Sequence, residues 1–405
     1  MAKFPQNFLW GAATSSYQVE GNNLNADWWH WEKNAGKQNS GLACRHYDLF
    51  EHDFDLAASL NHNALRLSIE WSRIEPEEGK FCQAELEHYL DVIASLRRHK
   101  LEPIVTLHHF TNPQWFAKAG GWLDSHAIGY FKRYCQYVVE ALAPSVNYWI
   151  TINEPLVYTY HAYILGVWPP QEISLFKSMR VENNFALAHI EIYKLIQNIY
   201  KKRGLSRPQI SIAQNLQAFV ACRPCLKDKF AAYLRDRWYN FGMIDRLSRH
   251  KTLDFIGINY YSRQLVEAEN WGLRHLIFDT CKKNHHPLEK NSLGWDIYPE
   301  GLYDLLLKLK KYNLDVMITE NGICTEDDNL RWKYIYEHLK NIQRARDNGV
   351  KISGYIYWSL IDNFEWDKGF APRFGLVEVD YNTFTRTVRG SAKKFAEICM
   401  EGEID

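Results

Sequence analysis

Short runs of apolar, β-branched residues alternate with longer stretches whose apolar positions fall three and four apart, from one end of the chain to the other. Runs of the first kind suit strands buried on both faces, and stretches of the second suit helices that turn one stripe to a core. The pattern predicts strands at Phe8–Ala13, Ala64–Ile69, Pro103–His108, Tyr148–Asn153, Gln209–Asn215, Asp254–Asn259, Val316–Glu320 and Ile352–Trp358. Between them it predicts helices such as Glu85–His99, Ser125–Leu142, Asn183–Lys202 and Pro299–Tyr312, the last with proline in its first turn, where no amide hydrogen is needed. Eight strand-helix units point to an α/β fold, a (β/α)8 TIM barrel with loop insertions at the C-terminal face of the strands. A doubly wound sheet would carry a glycine-rich turn after its first strand, but Gly11 stands alone there and no GxGxxG occurs. With no repeat, low-complexity tract or linker-like stretch, residues 1–405 are read as a single barrel domain. The longest connection, Ser262 to Asp296, is expected to pass over the barrel mouth.

Charge and composition narrow the partners. The chain has 48 Lys and Arg against 48 Asp and Glu, so it has no global attraction to a phosphate backbone or an anionic membrane. Its one basic cluster, Lys201, Lys202 and Arg203, falls at a predicted helix end, where cations complement the dipole. No nucleic-acid or membrane partner is expected. No stretch approaches the length of a transmembrane helix, and the opening MAKFPQNFLW lacks the apolar run of a signal peptide, so a cytoplasmic location is expected. The 8 cysteines are too scattered for a disulfide framework, and the single CxxC, Cys222 and Cys225, lacks a second pair for zinc; reduced thiols are expected. Many of the 15 Trp, 24 Tyr and 20 Phe sit beside polar residues, as between Asp27 and Trp31 or Trp358 and Trp366. Flat apolar faces next to hydrogen-bonding groups suit a ligand with apolar C–H faces and a polar rim, as a sugar has.

Barrel active sites gather at the carboxyl ends of the strands. There the sequence offers Gln18 and Glu20 after the first strand, Arg66 and Glu70 on the second, His108 and His109 on the third, and Asn153 and Glu154 on the fourth. The sixth ends in Asn259, Tyr260 and Tyr261, the seventh in Glu320 and Asn321, and the eighth in Trp358, with Asp362 and Glu365 beyond. A carboxylate ending a buried apolar strand costs free energy unless something stabilises it, so Glu154 and Glu320 invite a functional reading over a structural ion pair. On the fourth and seventh strands they face each other across the mouth. Glycoside hydrolysis needs such a pair: one carboxyl protonates the departing oxygen, while the other attacks the anomeric carbon or activates water. His108 and His109 are adjacent in a strand and point to opposite faces, so they cannot share an ion; neither a metal nor a cofactor is expected.

The stretches FLWGAATSSYQVEG, LRLSIEWSRI, TINEP, DFIGINYYS, GWDIYPEGLYDLL, ITENG and WSLIDNFEWDKGFAPRFGLVEVD run in order along nearly the whole chain and resemble those of glycoside hydrolase family 1, the β-glucosidase family. The resemblance implies retention of anomeric configuration by two displacements, with Glu154 as acid/base and Glu320 as nucleophile. It also implies that Arg66 and Tyr261 favour ionised Glu320, while burial and the charge of Glu320 keep Glu154 protonated until the nucleophile is esterified. By position, Gln18, His109, Asn153, Glu365 and Trp366 match the family's hydrogen bonds to the sugar, and Trp358 its stacking platform. Asn153 is expected to hold the 2-hydroxyl and Glu365 to accept from two hydroxyls, which argues against phosphorylated sugars, since a carboxylate repels phosphate.

Three departures from the family pattern stand out. His109-Phe110-Thr111 replaces the usual HWD; LGVWPP at Leu165 to Pro170 differs from the commoner HAPG form and places Trp168 near the outer subsite; and the chain is short between the fifth and sixth strands, near Trp238 to Leu253. A thinner helical layer and a more open flank are expected there. The partners implied are β-glycosides or short oligosaccharides with gluco, galacto or fuco sugars. The alternatives are a transglycosylating β-glycosidase and a non-catalytic sugar-binding relative, the latter commonly lacking one of the two carboxylates. A thioglucosidase would lack the acid/base glutamate.

Overall fold

The computed structural model describes residues 3–281 and 287–404. Eight parallel strands close into a barrel in chain order: β1 (Leu9–Ala13), β2 (Ala64–Ser68), β3 (Glu102–Thr106), β4 (Tyr148–Asn153), β5 (Gln209–Ala221), β6 (Phe255–Val266), β7 (Asp315–Asn321) and β8 (Ile352–Trp358). Among the helices are α1 (His46–Ser59), α2 (Gln83–Arg98), α3 (Ala127–Leu142), α4 (Leu175–Lys202), α5 (Leu226–Arg235), α6 (Gly242–Arg249), α7 (Leu273–Phe278), α8 (Pro299–Leu309), α9 (Asp328–Asp347) and α10 (Gly390–Glu401). This is the predicted (β/α)8 barrel.

Period-2 alternation divides the strand side chains between two cores. Ala13, Ile104, Ile150, Ala213, Met317 and Ile356 form a small cluster within the barrel. Their neighbours, among them Leu65, Val105, Trp149 and Ile258, join the larger cluster packed under the helices. Arg66 shares the inner face and is fully buried, so a charge stands near the top of the apolar plug. Gly11 lets two strands meet: a Cβ there would lie 2.0 Å from the Ala64 carbonyl oxygen. Gly322, just after β7, is pressed likewise against the Trp358 carbonyl, at 1.9 Å.

The elements depart from the predicted ones where exposure breaks the pattern. Helix α4 starts at Leu175 rather than Asn183, capped by the Ser174 hydroxyl on the Lys177 amide at 3.3 Å. Its first turns leave Phe176 and Met179 exposed, which hides the periodicity. Lys201 and Lys202 do end it. Strands β5 and β6 outrun their predicted ends and continue above the barrel as a two-stranded ribbon, pairing Ala218 with Arg263 through Ala221 with Val266. Helices α5 and α7 rest on this ribbon around Ala231, Ala232, Val266, Ala268 and Leu276. In the shortened region α6 has 8 residues and follows α5 and a further helical turn at Asp236–Asn240. The ribbon and its two helices build up the flank on the mouth side. Residues 282–286 of the long sixth connection lie outside the described residues.

One expectation is overturned. Cys222, just past β5, is disulfide-bonded to Cys281, just past α7, so the thiols are not all reduced. A separation of 59 residues gave the sequence no motif to show it, and the CxxC partner Cys225 is free. Among the described residues no helix is long and apolar enough to cross a membrane.

Candidate active site

The carboxyl ends of the strands open into a cavity of about 730 Å³. Of the residues singled out from the sequence, Gln18, His109, Asn153, Glu154, Tyr261, Glu320, Trp358, Glu365 and Trp366 all line it. Arg66 lies just beneath, where it braces the others.

Glu154 is turned into the cavity by its backbone. The residue adopts φ 43° and ψ 59°, a left-handed conformation that costs a non-glycine residue about 1–2 kcal/mol. Its amide is held on the Ala213 carbonyl at 2.7 Å, and Pro155 starts a short helix immediately after. Carboxylate Oε1 accepts from Asn259 Nδ2 at 2.8 Å and from Asn215 Nδ2 at 3.0 Å; Tyr239 in turn donates to Asn215 Oδ1 at 2.9 Å. Burial and then the charge of Glu320 push the carboxyl up to about 8, while the two asparagines pull it down. At neutral pH the group is therefore mainly protonated, the state a general acid needs.

Glu320 has the opposite surroundings. Arg66 Nη1 meets Oε1 at 2.5 Å, and the Tyr261 hydroxyl donates to Oε2 at 2.6 Å. The arginine cannot swing away, because Nε donates to Thr106 Oγ1 at 3.1 Å and Nη2 to Asn153 Oδ1 at 2.7 Å. A fixed guanidinium and a phenol aimed at its two oxygens hold the carboxylate in one orientation.

Asn153 links the two glutamates. Its Oδ1 accepts from Arg66 and also from Asn259 at 3.1 Å, so its amide nitrogen must face His109 Nε2, 3.2 Å away. Burial, then Arg66, lower the His109 pKa well below the usual range, so the ring is neutral and accepts at Nε2. The proton is then on Nδ1, a buried atom with no hydrogen-bond partner among the described residues. The ring lies nearly parallel to Trp358 (centroids 5.9 Å apart, 19°) and to Trp366 (6.1 Å, 15°). His108 points the other way, as expected, to Asn112 at 3.1 Å and the rings of Trp122 and Phe185.

At the far end of the same half, Gln18 Nε2 lies 2.8 Å from the Phe364 carbonyl and 3.3 Å from Glu365 Oε2. Burial, then the charges of Glu320, Asp367 and Glu154, push the Glu365 carboxyl up to about 8. That weakens the expected repulsion of phosphate at neutral pH. The nearby Lys368 is already paired with Asp367 at 2.7 Å. Trp168 also lines the cavity, with its indole N–H on Asp367 at 2.9 Å and its ring stacked on His161 at 4.3 Å.

Sequence reasoning missed the second rank. Asn215 ends the predicted fifth strand, the one strand end from which no candidate was taken, and Asn259 was noted without a role. An amide at a strand end beside a glutamate-bearing strand was the available signal. Tyr239 lies in the irregular turn after α5 and gave none.

Comparison with known proteins points the same way. The sequence model for glycosyl hydrolase family 1 matches residues 1–247 and 240–403. A 1,4-beta-D-glucan glucohydrolase of Thermotoga neapolitana is 31% identical over 445 aligned residues, covering 98% of each chain. Among solved structures, a beta-glycosidase from Pyrococcus horikoshii superposes with a TM-score of 0.92 at 37% identity, covering 100% of this chain and 96% of that one. A beta-glucosidase from Thermotoga maritima in complex with glucoimidazole gives 0.91 at 30% identity, covering 99% of each.

Proposed function

The chain belongs to glycosyl hydrolase family 1, and on that premise we propose that it is a retaining β-glycosidase, of β-glucosidase type, acting on non-phosphorylated β-glycosides without a cofactor. The observation that carries the reading is the contrast between its two glutamates: Glu154, buried, amide-bound and raised to about 8, and Glu320, gripped by Arg66 and Tyr261. Protonated Glu154 gives its proton to the glycosidic oxygen as Glu320 bonds to the anomeric carbon. Loss of the Glu320 charge on esterification removes one of the causes that raise Glu154, which then takes a proton from water as the ester is cleaved. Asn153 and the Nδ1–H of His109 meet ring hydroxyls, Gln18 and Glu365 the far rim of the sugar, and Trp358 and Trp366 its faces. A second sugar in place of water makes the same ester a glycosyl donor, so transglycosylation rests on the same residues.

We place the whole of residues 1–405 in one catalytic unit working in the cytoplasm. The Cys222–Cys281 bond speaks against a reducing compartment, and alkylation and mass measurement of protein taken directly from cells decide: reduced thiols there uphold the location, and a fully formed bond rejects it. Following the hydrolysis of an aryl β-glucoside by proton NMR tests the reaction: the β-anomer of glucose must appear first, and the α-anomer first would reject the double displacement. The 6-phospho analogue should be a poor substrate, because Lys368, which lines the cavity beside Glu365, is already paired with Asp367.

A further inference from the structure

A CxxC alone is a weak metal signal, but the fold adds ligands to this one. The far end of the β5–β6 ribbon meets the segment that follows α7: Val266 bridges Thr280, and Cys281 donates its amide to the Leu265 carbonyl at 3.0 Å. Cys222, just past β5, donates its amide to the Val266 carbonyl at 2.8 Å. The end of β6 therefore holds both cysteines, their Cα atoms 5.9 Å apart, and the next residue is Glu267. The two Sγ atoms and a carboxylate oxygen of Glu267 lie within 4.8 Å of one another. Ligand atoms around a tetrahedral zinc stand about 3.5 to 4 Å apart, so small shifts let these three share one ion.

The surroundings suit such an ion. Arg223 Nη1 pairs with Glu267 Oε1 at 3.0 Å while its Nε holds buried Asp228 at 2.8 Å, and Asp228 accepts from the Ala268 amide at 3.1 Å. Glu267 is thereby oriented from behind, as metal-bound carboxylates are, and keeps lone pairs for a second partner. Cys225 stands at the N-cap of α5 and gives its thiol hydrogen to Asp228. Its CxxC spacing, with which two thiolates commonly share one zinc, offers it as the fourth ligand. Buried Arg235 donates Nε to the Leu276 carbonyl at 2.9 Å and Nη2 to the Asp279 carbonyl at 2.6 Å. The approach to Cys281 is thus held whether or not the cysteines are bonded to each other.

We propose that in the reduced protein Cys222, Cys281, Glu267 and Cys225 bind one zinc ion, which ties the ribbon to the segment after α7 in place of the disulfide. A dithiol reductant passes two electrons and two protons to the Cys222–Cys281 bond and is itself oxidised to a disulfide. Zinc then displaces one proton from each cysteine thiol to solvent and bonds to the three sulfurs and to Glu267. Soft sulfur selects zinc over magnesium or calcium, which take oxygen ligands. The site shares no residue with the network around Glu154 and Glu320, so its test is independent of the glycosidase reading.

The test is anaerobic titration of the reduced full-length chain with cobalt(II), then with zinc. Cobalt should give the near-ultraviolet sulfur-to-metal absorption and the visible bands of a tetrahedral thiolate site, saturating at about one ion per chain, and zinc should abolish both. Reoxidation of the parent by a small disulfide reagent closes Cys222–Cys281 without any substitution; it should remove binding, and renewed reduction should restore it. Cys281→Ser and Glu267→Gln should each bind cobalt about tenfold more weakly or worse, while Cys82→Ser should match the parent. Cys225→Ser should lose about a third of the near-ultraviolet intensity, as one thiolate of three goes; an unchanged intensity would overturn its place as fourth ligand. No such spectrum in the reduced parent, the same spectrum after reoxidation, or parent-like binding by Cys281→Ser overturns the proposal.

Discussion

The two halves of the cavity are built on opposite principles. The inner half is a cross-linked polar network on strand ends: Arg66, Asn153, Asn259, Glu154 and Glu320 are each fixed by at least one neighbour at hydrogen-bond distance. The outer half sets Phe219, Leu265 and Ile277 among Gln217, Gln264 and Thr280, and its walls are a ribbon and a short helix held from behind by a buried arginine and a disulfide. Rigid placement of charge serves bond breaking, where developing charge must meet groups already aimed at it. Apolar area serves selection among leaving groups, where shape and displaced water decide.

Substitutions in the inner half should break the reaction itself. Glu320→Gln should lower kcat for every glycoside by on the order of 10⁴-fold or more. Glu154→Ala should cost about 10²- to 10⁴-fold with alkyl glycosides but far less for formation of the ester from a dinitrophenyl glycoside, and added azide should restore turnover. Ordinary activity in either purified variant contradicts the assignment.

A subtler test shifts the network without removing a carboxylate. Asn259→Ala deletes a hydrogen bond that favours ionised Glu154, so the Glu154 pKa must rise further. In the parent enzyme kcat/KM should fall as pH rises through about 8, where the raised carboxyl loses its proton. In Asn259→Ala that basic limb should move to higher pH, with kcat at its optimum down by about tenfold. A limb that stays put, or moves down, would detach the basic limb from Glu154.

How the sequence could be read follows the same division. Glu154, Glu320, Arg66 and Asn153 were legible because ionisable and amide groups closing apolar strands break the pattern around them. Asn215 closes the predicted fifth strand as Asn153 closes the fourth, but no glutamate follows it to mark the position, and the strand itself carries on to Ala221. The outer chamber left almost no trace. Phe219, Leu265 and Ile277 are ordinary apolar residues in their segments, and only the fold shows that they face a cavity. The disulfide was likewise invisible, since it joins two segments that the ribbon and α7 bring together in space.

The smallest expected effect belongs to the outer wall. Reduction by dithiothreitol, which leaves the thiols of Cys222 and Cys281 and oxidised reagent, should raise KM for hexyl β-glucoside by about two- to fivefold, because α7 then depends on Arg235, the Val266–Thr280 bridge and the packing of Leu276. Methyl β-glucoside, which does not reach that wall, should respond less. An equal response of the two substrates would place the disulfide's influence elsewhere.

The claim on which all of this depends is that Glu320 bonds to the sugar while Glu154 supplies the proton. Trapping with a dinitrophenyl 2-deoxy-2-fluoro-β-glucoside, followed by proteolysis and mass spectrometry, tests it most directly. The account predicts one fluoroglucosyl group per chain, on the peptide carrying Glu320 and on that side chain. A label on Glu154 or elsewhere, or rapid inactivation of Glu320→Gln by the same reagent, would contradict it.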